Sequence, residues 1–318
     1  MLKVFEKRKG IFRKGGLDEI SSKETSWLNC YAPTDAELEK ISKKVGIPKE
    51  RLLRFIDENA RPHIYNARDF SVVLWNVINT EEGRLKKEIV AIFLLPNNNI
   101  LTLSNREIGV LSKFEETVCQ NKDIIKTQAS FLYNLISETI TKLFSIMEQL
   151  EEHIDATENE VLKRPEHGLI GKIFVIKRDI LMLHKSLVAN REVIIGIEKN
   201  YITRIQRREA ADFIFVYNDL VQLIDMSETY RDIATGTIEI YLSSLSNILN
   251  NTLKRITSWG SLILVPTLIA SIYGMNFQRV SDLNMPELYW PFGYPLALGM
   301  MAFSIIVLYI YFRTKRWI

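Results

Sequence analysis

The spacing of apolar residues changes several times along the chain. "DFSVVLWNVI" (69–78) and "EIVAIFLL" (88–95) are β-branched, apolar runs and predict strands. "PNNNI" (96–100) reads as a turn, with "LTLS" (101–104) as the returning strand. "PTDAELEKISKKVG" (33–46) predicts a helix with Thr34 at its cap, Glu37 three residues on and Gly46 at its end. From about residue 128 apolar positions recur every three or four residues. They do so through "FLYNLISETITKLFSIMEQLEEHIDATENEVL" (131–162) and again through "IFVIKRDILMLHKSLVANREVII" (173–195). Two long helices meeting near Pro165 to Gly168 follow. A third starts near Glu209 and meets no stop before Gly274; its 66 residues would measure about 100 Å.

Two tracts carry no Asp, Glu, Lys or Arg: Ile256 to Gln278 and Leu288 to Phe312. Each is long enough to cross a bilayer as a helix, which takes roughly 20 residues. Pro266 is no obstacle there, because kinked helices are tolerated in membranes. The fold class expected is an α+β membrane protein with two C-terminal transmembrane helices. The expected boundaries are an α/β domain at 1–125, long helices at 126–255, a first span at 256–278, an outer loop at 279–287, a second span at 288–312 and a basic tail at 313–318.

Within the third helix one face has an unusual composition. Steps of four and three from Asp225 reach Thr229, Asp232, Gly236, Glu239, Ser243, Ser246, Asn250, Leu253, Thr257, Gly260, Leu264, Thr267, Ser271 and Gly274. Apart from Leu253 and Leu264 these are all polar or small, while Ile233, Ile238, Ile240, Leu242, Leu245, Ile248 and Leu249 fill the flanks. A seven-residue repeat keeps one face on a common axis, and here that face is hydrophilic. A solvated bundle face before 256, and close packing of small residues between membrane helices after it, are the competing explanations. A water-filled channel accounts for one stripe running through both environments. Two spans cannot enclose a channel, so several copies must surround it. Leu253 and Leu264 would then form rings that gate by dewetting.

Asn276 lies just past the stripe, at the outer mouth. A ring of its carbonyl oxygens offers acceptors without charge. Mg²⁺ sheds water reluctantly and prefers six oxygens, so such a ring would hold the ion through its hydration water. A left-handed helix cap at Asn276 is the alternative, and the two are compatible.

Charge sets the orientation. Lys254 and Arg255 precede the first span, and Arg313, Lys315 and Arg316 follow the second. The positive-inside rule puts both termini in the cytoplasm. Trp259, Trp290 and Trp317 fall near the expected interfaces. The N-terminus lacks a signal-peptide core. The protein is expected in the cell membrane as a multi-pass protein, in contact with lipid. A net charge of +3 argues against a nucleic-acid partner.

Cys30 and Cys119 are far apart and suggest ordinary thiols. His63, His153, His167 and His184 show no HExxH-type spacing, and no nucleophile has a plausible base. His184 is expected to be packed or hydrogen-bonded. An enzyme is not expected, nor a cofactor. No GxxxxGK[ST] loop implies ATP as an energy source. The acidic run at 148–160 reads as a solvated helix face or a store of cations.

"YGMNF" (273–277), then "MPEL" (285–288) and a second span ending in "KRWI", closely resembles the CorA magnesium channel family. The resemblance extends through "YRDIATGTIEIYLSSLSNILNNTLKRIT" (230–257) and "LHKSLVANREVI" (183–194), and more weakly through "YAPTDAELEKISKKVGI" (31–47). It implies a homopentamer with a cytoplasmic funnel whose pore is lined by five long helices. The selectivity motif falls on Gly274, Met275 and Asn276, with pore-lining roles on Glu239, Asn250, Leu253, Leu264 and Thr267. Glu287 would make the outer mouth electronegative. "QRVSD" and "LN" lengthen the link between GMN and MPEL. The family also implies regulation by Mg²⁺ between cytoplasmic domains. Phe213, Phe215 and Asn218 stand along that part of the helix beside Asp212 and Asp219, so no regulatory residues are assigned.

The function expected is uptake of hydrated Mg²⁺, also Co²⁺ and Ni²⁺, down the membrane potential. The alternatives are a ZntB-like zinc transporter, against which the intact GMN and MPEL argue, and a non-conducting membrane-anchored helical scaffold.

Overall fold

The structure is a computed structural model and describes residues 1–8, 11–15, 25–57, 60–81, 83–121, 125–163, 165–166, 168–276 and 285–318. Seven strands form one mixed sheet: β1 (Leu2–Arg8), β2 (Ile11–Gly15), β3 (Ser26–Tyr31), β4 (Ile64–Asn66), β5 (Ser71–Glu81), β6 (Arg84–Leu94) and β7 (Ile100–Ser104). Their spatial order is β2-β1-β3-β7-β6-β5-β4, and every pairing is antiparallel except β3 with β7. Trp27 lies opposite Ile100 in that parallel pair.

Alternation along β5 shows how the sheet is covered. Val72 and Leu74 face one apolar cluster, with Leu38 and Ile41 of α1 (Asp35–Val45) and Leu52 and Phe55 of α2 (Lys49–Phe55). Val73, Trp75 and Val77 face another, with α3 (Gly109–Gln120), α4 (Gln128–Lys163) and α5 (Leu169–Glu198). The period-two pattern therefore buries both faces. Two tryptophans are anchored by threonines: Trp27 Nε1 donates to Thr102 Oγ1 at 2.9 Å, and Trp75 Nε1 to Thr139 Oγ1 at 3.0 Å.

Local chemistry sets α1. Thr34 Oγ1 accepts from the Glu37 N–H at 3.3 Å, and the Glu37 carboxylate accepts from the Thr34 N–H at 2.9 Å. Gly46, at φ 74°, ends the helix in the left-handed region, where glycine has no Cβ to clash. α4 ends at Lys163 and α5 begins at Leu169, on either side of the Pro165 to Gly168 stretch where the periodicity predicts the two helices to join.

The third long helix starts later than its pattern predicts. A short α6 (Arg207–Ala210) is followed by a turn, and α7 runs Phe213–Tyr273. No Gly or Pro marks this break. Phe213 is fully buried and meets Tyr133 edge-on at 5.7 Å, a tertiary anchor that local sequence does not announce. At 1.5 Å per residue, α7 measures about 90 Å. It ends at Tyr273, five residues before its charge-free tract does. The second such helix, α8 (Gly293–Thr314), begins five residues after Leu288. Pro286 opens a short 3-10 turn at Pro286–Tyr289, and Pro291 follows it before α8 starts. Absence of charge marks solubility in lipid, not the extent of a helix.

Two helices, α7 in its C-terminal part and α8, are long and apolar enough to cross a membrane. The chain divides into two compact units: Met1–Glu160 with Glu166–Ile238, and Val161–Pro165 with Glu239–Ile318. The division between the units falls within α7.

Candidate functional site: a polar face of the longest helix

Burial along α7 defines two opposed faces. Among its buried positions, Leu223, Ser227, Tyr230, Ala234, Thr237 and Tyr241, then Ser258 and Leu262, form one row. Each lies two residues before a stripe residue: Asp225, Thr229, Asp232, Gly236, Glu239, Ser243, Gly260 and Leu264. Two residues turn a helix by about 200°, so the stripe looks away from everything its own chain packs against. All fifteen stripe positions are exposed except Gly236, which is half-buried. The structure thus places Glu239, Asn250, Leu253, Thr257, Gly260, Leu264, Thr267 and Ser271 together on one uncovered face.

Between residues 242 and 257 the helix is bare on most of its circumference. Leu242, Ile248, Leu249, Leu253 and Ile256 are all exposed. Apolar side chains at this density call for a covering surface.

The polar groups of the stripe are set by the helix itself. Thr267 Oγ1 donates to Ile263 O at 2.7 Å, and Thr229 Oγ1 donates to Asp225 O at 3.0 Å. With the hydrogen committed to the backbone, each hydroxyl turns lone pairs outward. Behind the stripe, Tyr230 donates to Glu151 at 2.7 Å. Burial, reinforced by that carboxylate, pushes the Tyr230 phenol above its ordinary range.

At the far end of α7, the Gly274 N–H donates to Ala270 O at 2.9 Å and the Met275 N–H to Ile272 O at 3.2 Å. A Cβ on Gly274 would stand 3.2 Å from Ala270 O and 3.5 Å from Ser271 O. The first of these contacts is tight and the second ordinary, and the φ of Gly274 is not positive. Asn276 is not left-handed either, so the αL cap is not adopted. Its side chain is exposed and has no hydrogen-bond partner among the described residues. Tyr273 Oη donates to Glu287 Oε1 at 3.5 Å. Glu287 is thereby brought to the helix end that carries Gly274, Met275 and Asn276. Tyr273 is the residue sequence reasoning missed; it stood in the motif without a role. Arg279 and Asp282, with most of the expected outer loop, lie outside the described residues.

Among the described residues, no group of three or more His, Cys, Asp or Glu side chains is placed to hold a metal directly. His184 Nδ1 lies 3.0 Å from Ser227 Oγ, whose hydrogen goes to Ile224 O at 2.6 Å. With that hydrogen spent on the backbone, Ser227 Oγ is left to accept from Nδ1. The acidic residues of 148–160 are exposed or half-buried. Both cysteines are free thiols.

The description "CorA-like Mg2+ transporter protein" belongs to a family model that matches residues 22–316. The chain is a member of that family. The cobalt/magnesium transport protein CorA of Methanocaldococcus jannaschii is 30% identical over 308 residues, 95% of each chain. Its counterpart from Thermotoga maritima is 28% identical over 302 residues, 93% of this chain and 84% of that one. The complete structure of the Methanocaldococcus jannaschii CorA magnesium transporter superposes with a TM-score of 0.89 at 27% identity, over 100% of this chain and 99% of that one. This CorA-like chain is accordingly a membrane protein of a transporter family. Its α7 stripe and GMN terminus lie within the matched residues.

Proposed function

We propose that several copies of this chain, five as the family resemblance implies, surround an aqueous pathway and admit hydrated Mg²⁺, with Co²⁺ and Ni²⁺ also accepted. The observation that carries this reading is the uncovered stripe on α7, opposed to its packed face and ending beside the exposed Asn276. Each copy contributes its stripe to the pathway, its Leu253 and Leu264 to two apolar constrictions, and its Gly274–Asn276 segment to the outer filter. Neutral carboxamides at the filter suit an ion that keeps its water. Glu287, held near by Tyr273, adds negative charge at the mouth. Both termini lie in the cytoplasm, where Lys254, Arg255, Arg313, Lys315 and Arg316 fall.

The membrane potential drives inward flux. At 100 mV it is worth about 2.3 kcal/mol per charge, hence about 4.6 kcal/mol for a divalent ion.

The test is uptake of Mg²⁺, Co²⁺, Ni²⁺ and Zn²⁺ into vesicles containing the purified protein, under an inside-negative potential. Mg²⁺ and Co²⁺ are expected to enter. Asn276→Ala is expected to abolish selective Mg²⁺ entry while the assembly survives size-exclusion chromatography unchanged. Unaltered Mg²⁺ flux in that variant removes the filter. Zn²⁺ flux without Mg²⁺ flux assigns the chain to the zinc alternative.

A further inference from the structure

A second site lies in the sheet-bearing unit, remote in sequence from the stripe. Helix α5 lies against β5, and between them and the segment before β4 opens a cavity of about 980 Å³. That is at the upper end of the roughly 300–1,000 Å³ of small-molecule sites. Its lining includes Arg61, Lys87, Arg178 and Lys185. No carboxylate lines it among the described residues, and none of these four cations makes an ion pair among them. Elsewhere in the same unit, Lys3, Lys49, Lys86 and Lys113 each pair with an acid. Four unpaired cations around one concavity concentrate positive potential and attract anions.

The rest of the lining holds His184 and uncharged side chains. Leu181, Met182 and Val188 supply an apolar wall, with Leu181 48% exposed. Asn76, 3% exposed, also borders the cavity. Its main chain is held by the Asn190 side chain: Asn76 N–H donates to Asn190 Oδ1 at 3.0 Å, and Asn190 Nδ2 donates to Asn76 O at 2.9 Å. Yet Asn76 Oδ1 is buried without a partner. Such an acceptor is expensive to leave unpaired.

Cations and an apolar wall match two parts of one ligand class. We infer that this cavity binds a phosphorylated small molecule bearing a flat or apolar group, of the nucleotide class. The cations take the phosphates and the wall takes the ring. Nothing here supplies hydrolysis. The site is a binding site on the soluble part of a transporter, and it stands whether or not the stripe conducts.

Purified full-length protein in detergent, with EDTA present to keep ATP free of metal, is titrated with ATP by calorimetry. Saturable binding is expected. The double variant Arg178→Gln/Lys185→Gln is expected to weaken it about tenfold, the loss of roughly 1.4 kcal/mol from charge-assisted contacts. The control Lys142→Gln, outside the cavity, leaves it unchanged. Inorganic tripolyphosphate is expected to bind more weakly than ATP, because it cannot use the wall. Absence of saturable binding, indifference to the double variant, or equal affinity for tripolyphosphate overturns the assignment. Circular dichroism and size-exclusion profiles matching the parent separate lost contacts from lost folding.

Discussion

Single residues anchor this molecule in ways that differ in how visible they are from sequence. Cys30 is fully buried in β3, and burial pushes its thiol up to about 11. A folded value above the unfolded one gives a contribution to stability that is full below the ordinary thiol range. It is lost as pH rises toward about 11. At pH 8 iodoacetamide is therefore expected to label the half-buried Cys119 well before Cys30, and both equally once denaturant is added. Equal labelling of the native protein contradicts the buried thiol. The Thr34–Glu37–Gly46 set was legible because its partners lie within one helix. The clasp of Asn190 on Asn76 was not. Its two hydrogen bonds join residues 114 apart in sequence, and an asparagine within a long helical pattern carries no local sign of its target. The orphaned oxygen of Asn76 was hidden for the same reason.

Among the elements, α7 was the most legible, since its two faces alternate in composition for most of its length. What sequence could not supply was which face is packed and which is bare. Burial decides that, and it makes two substitutions diverge. Ala234→Leu, on the packed face at 1% exposure, is expected to cost about 1–3 kcal/mol through overpacking, read as a lower melting temperature in detergent. Glu239→Gln, on the bare face, is expected to shift stability by less than about 0.5 kcal/mol while changing cation flux in vesicles. Equal destabilisation by both would mean that the stripe is a packing surface. α7 ends one residue before the Gly274 of the sequence reading, while the charge-free tracts at 256–278 and 288–312 do not coincide with helix ends, because lack of charge and helix formation are separate properties. Gly274 and the prolines at 286 and 291 act on the backbone, whereas charge acts on the solvent.

At the scale of the whole molecule, β5, β6 and β7 could be read from sequence, whereas β1 to β4 and the order of the seven strands could not. The hairpin of β5 and β6 is local. The parallel pairing of β3 with β7 joins Trp27 to Ile100 across two helices and three strands, and no periodicity records it. Assembly is likewise outside the reach of one chain, and it can be tested directly. Asn250→Cys, in a Cys30→Ala/Cys119→Ala background, is expected to yield disulfide-linked dimers of the full-length protein under mild oxidant, because equivalent stripe residues would meet near a shared axis. Only monomers on a non-reducing gel would argue against copies facing one another. A further consequence lies in the two-residue offset between the buried row and the bare row of α7. That offset is a phase, and an unbroken helix has no joint at which to reset it. One residue inserted near Ile248 would rotate everything beyond by about 100°, swinging Asn276 out of line with Glu239, and transport should vanish although every side chain is still present. Seven inserted residues restore the phase to within about 20°, and the lengthened protein should transport again.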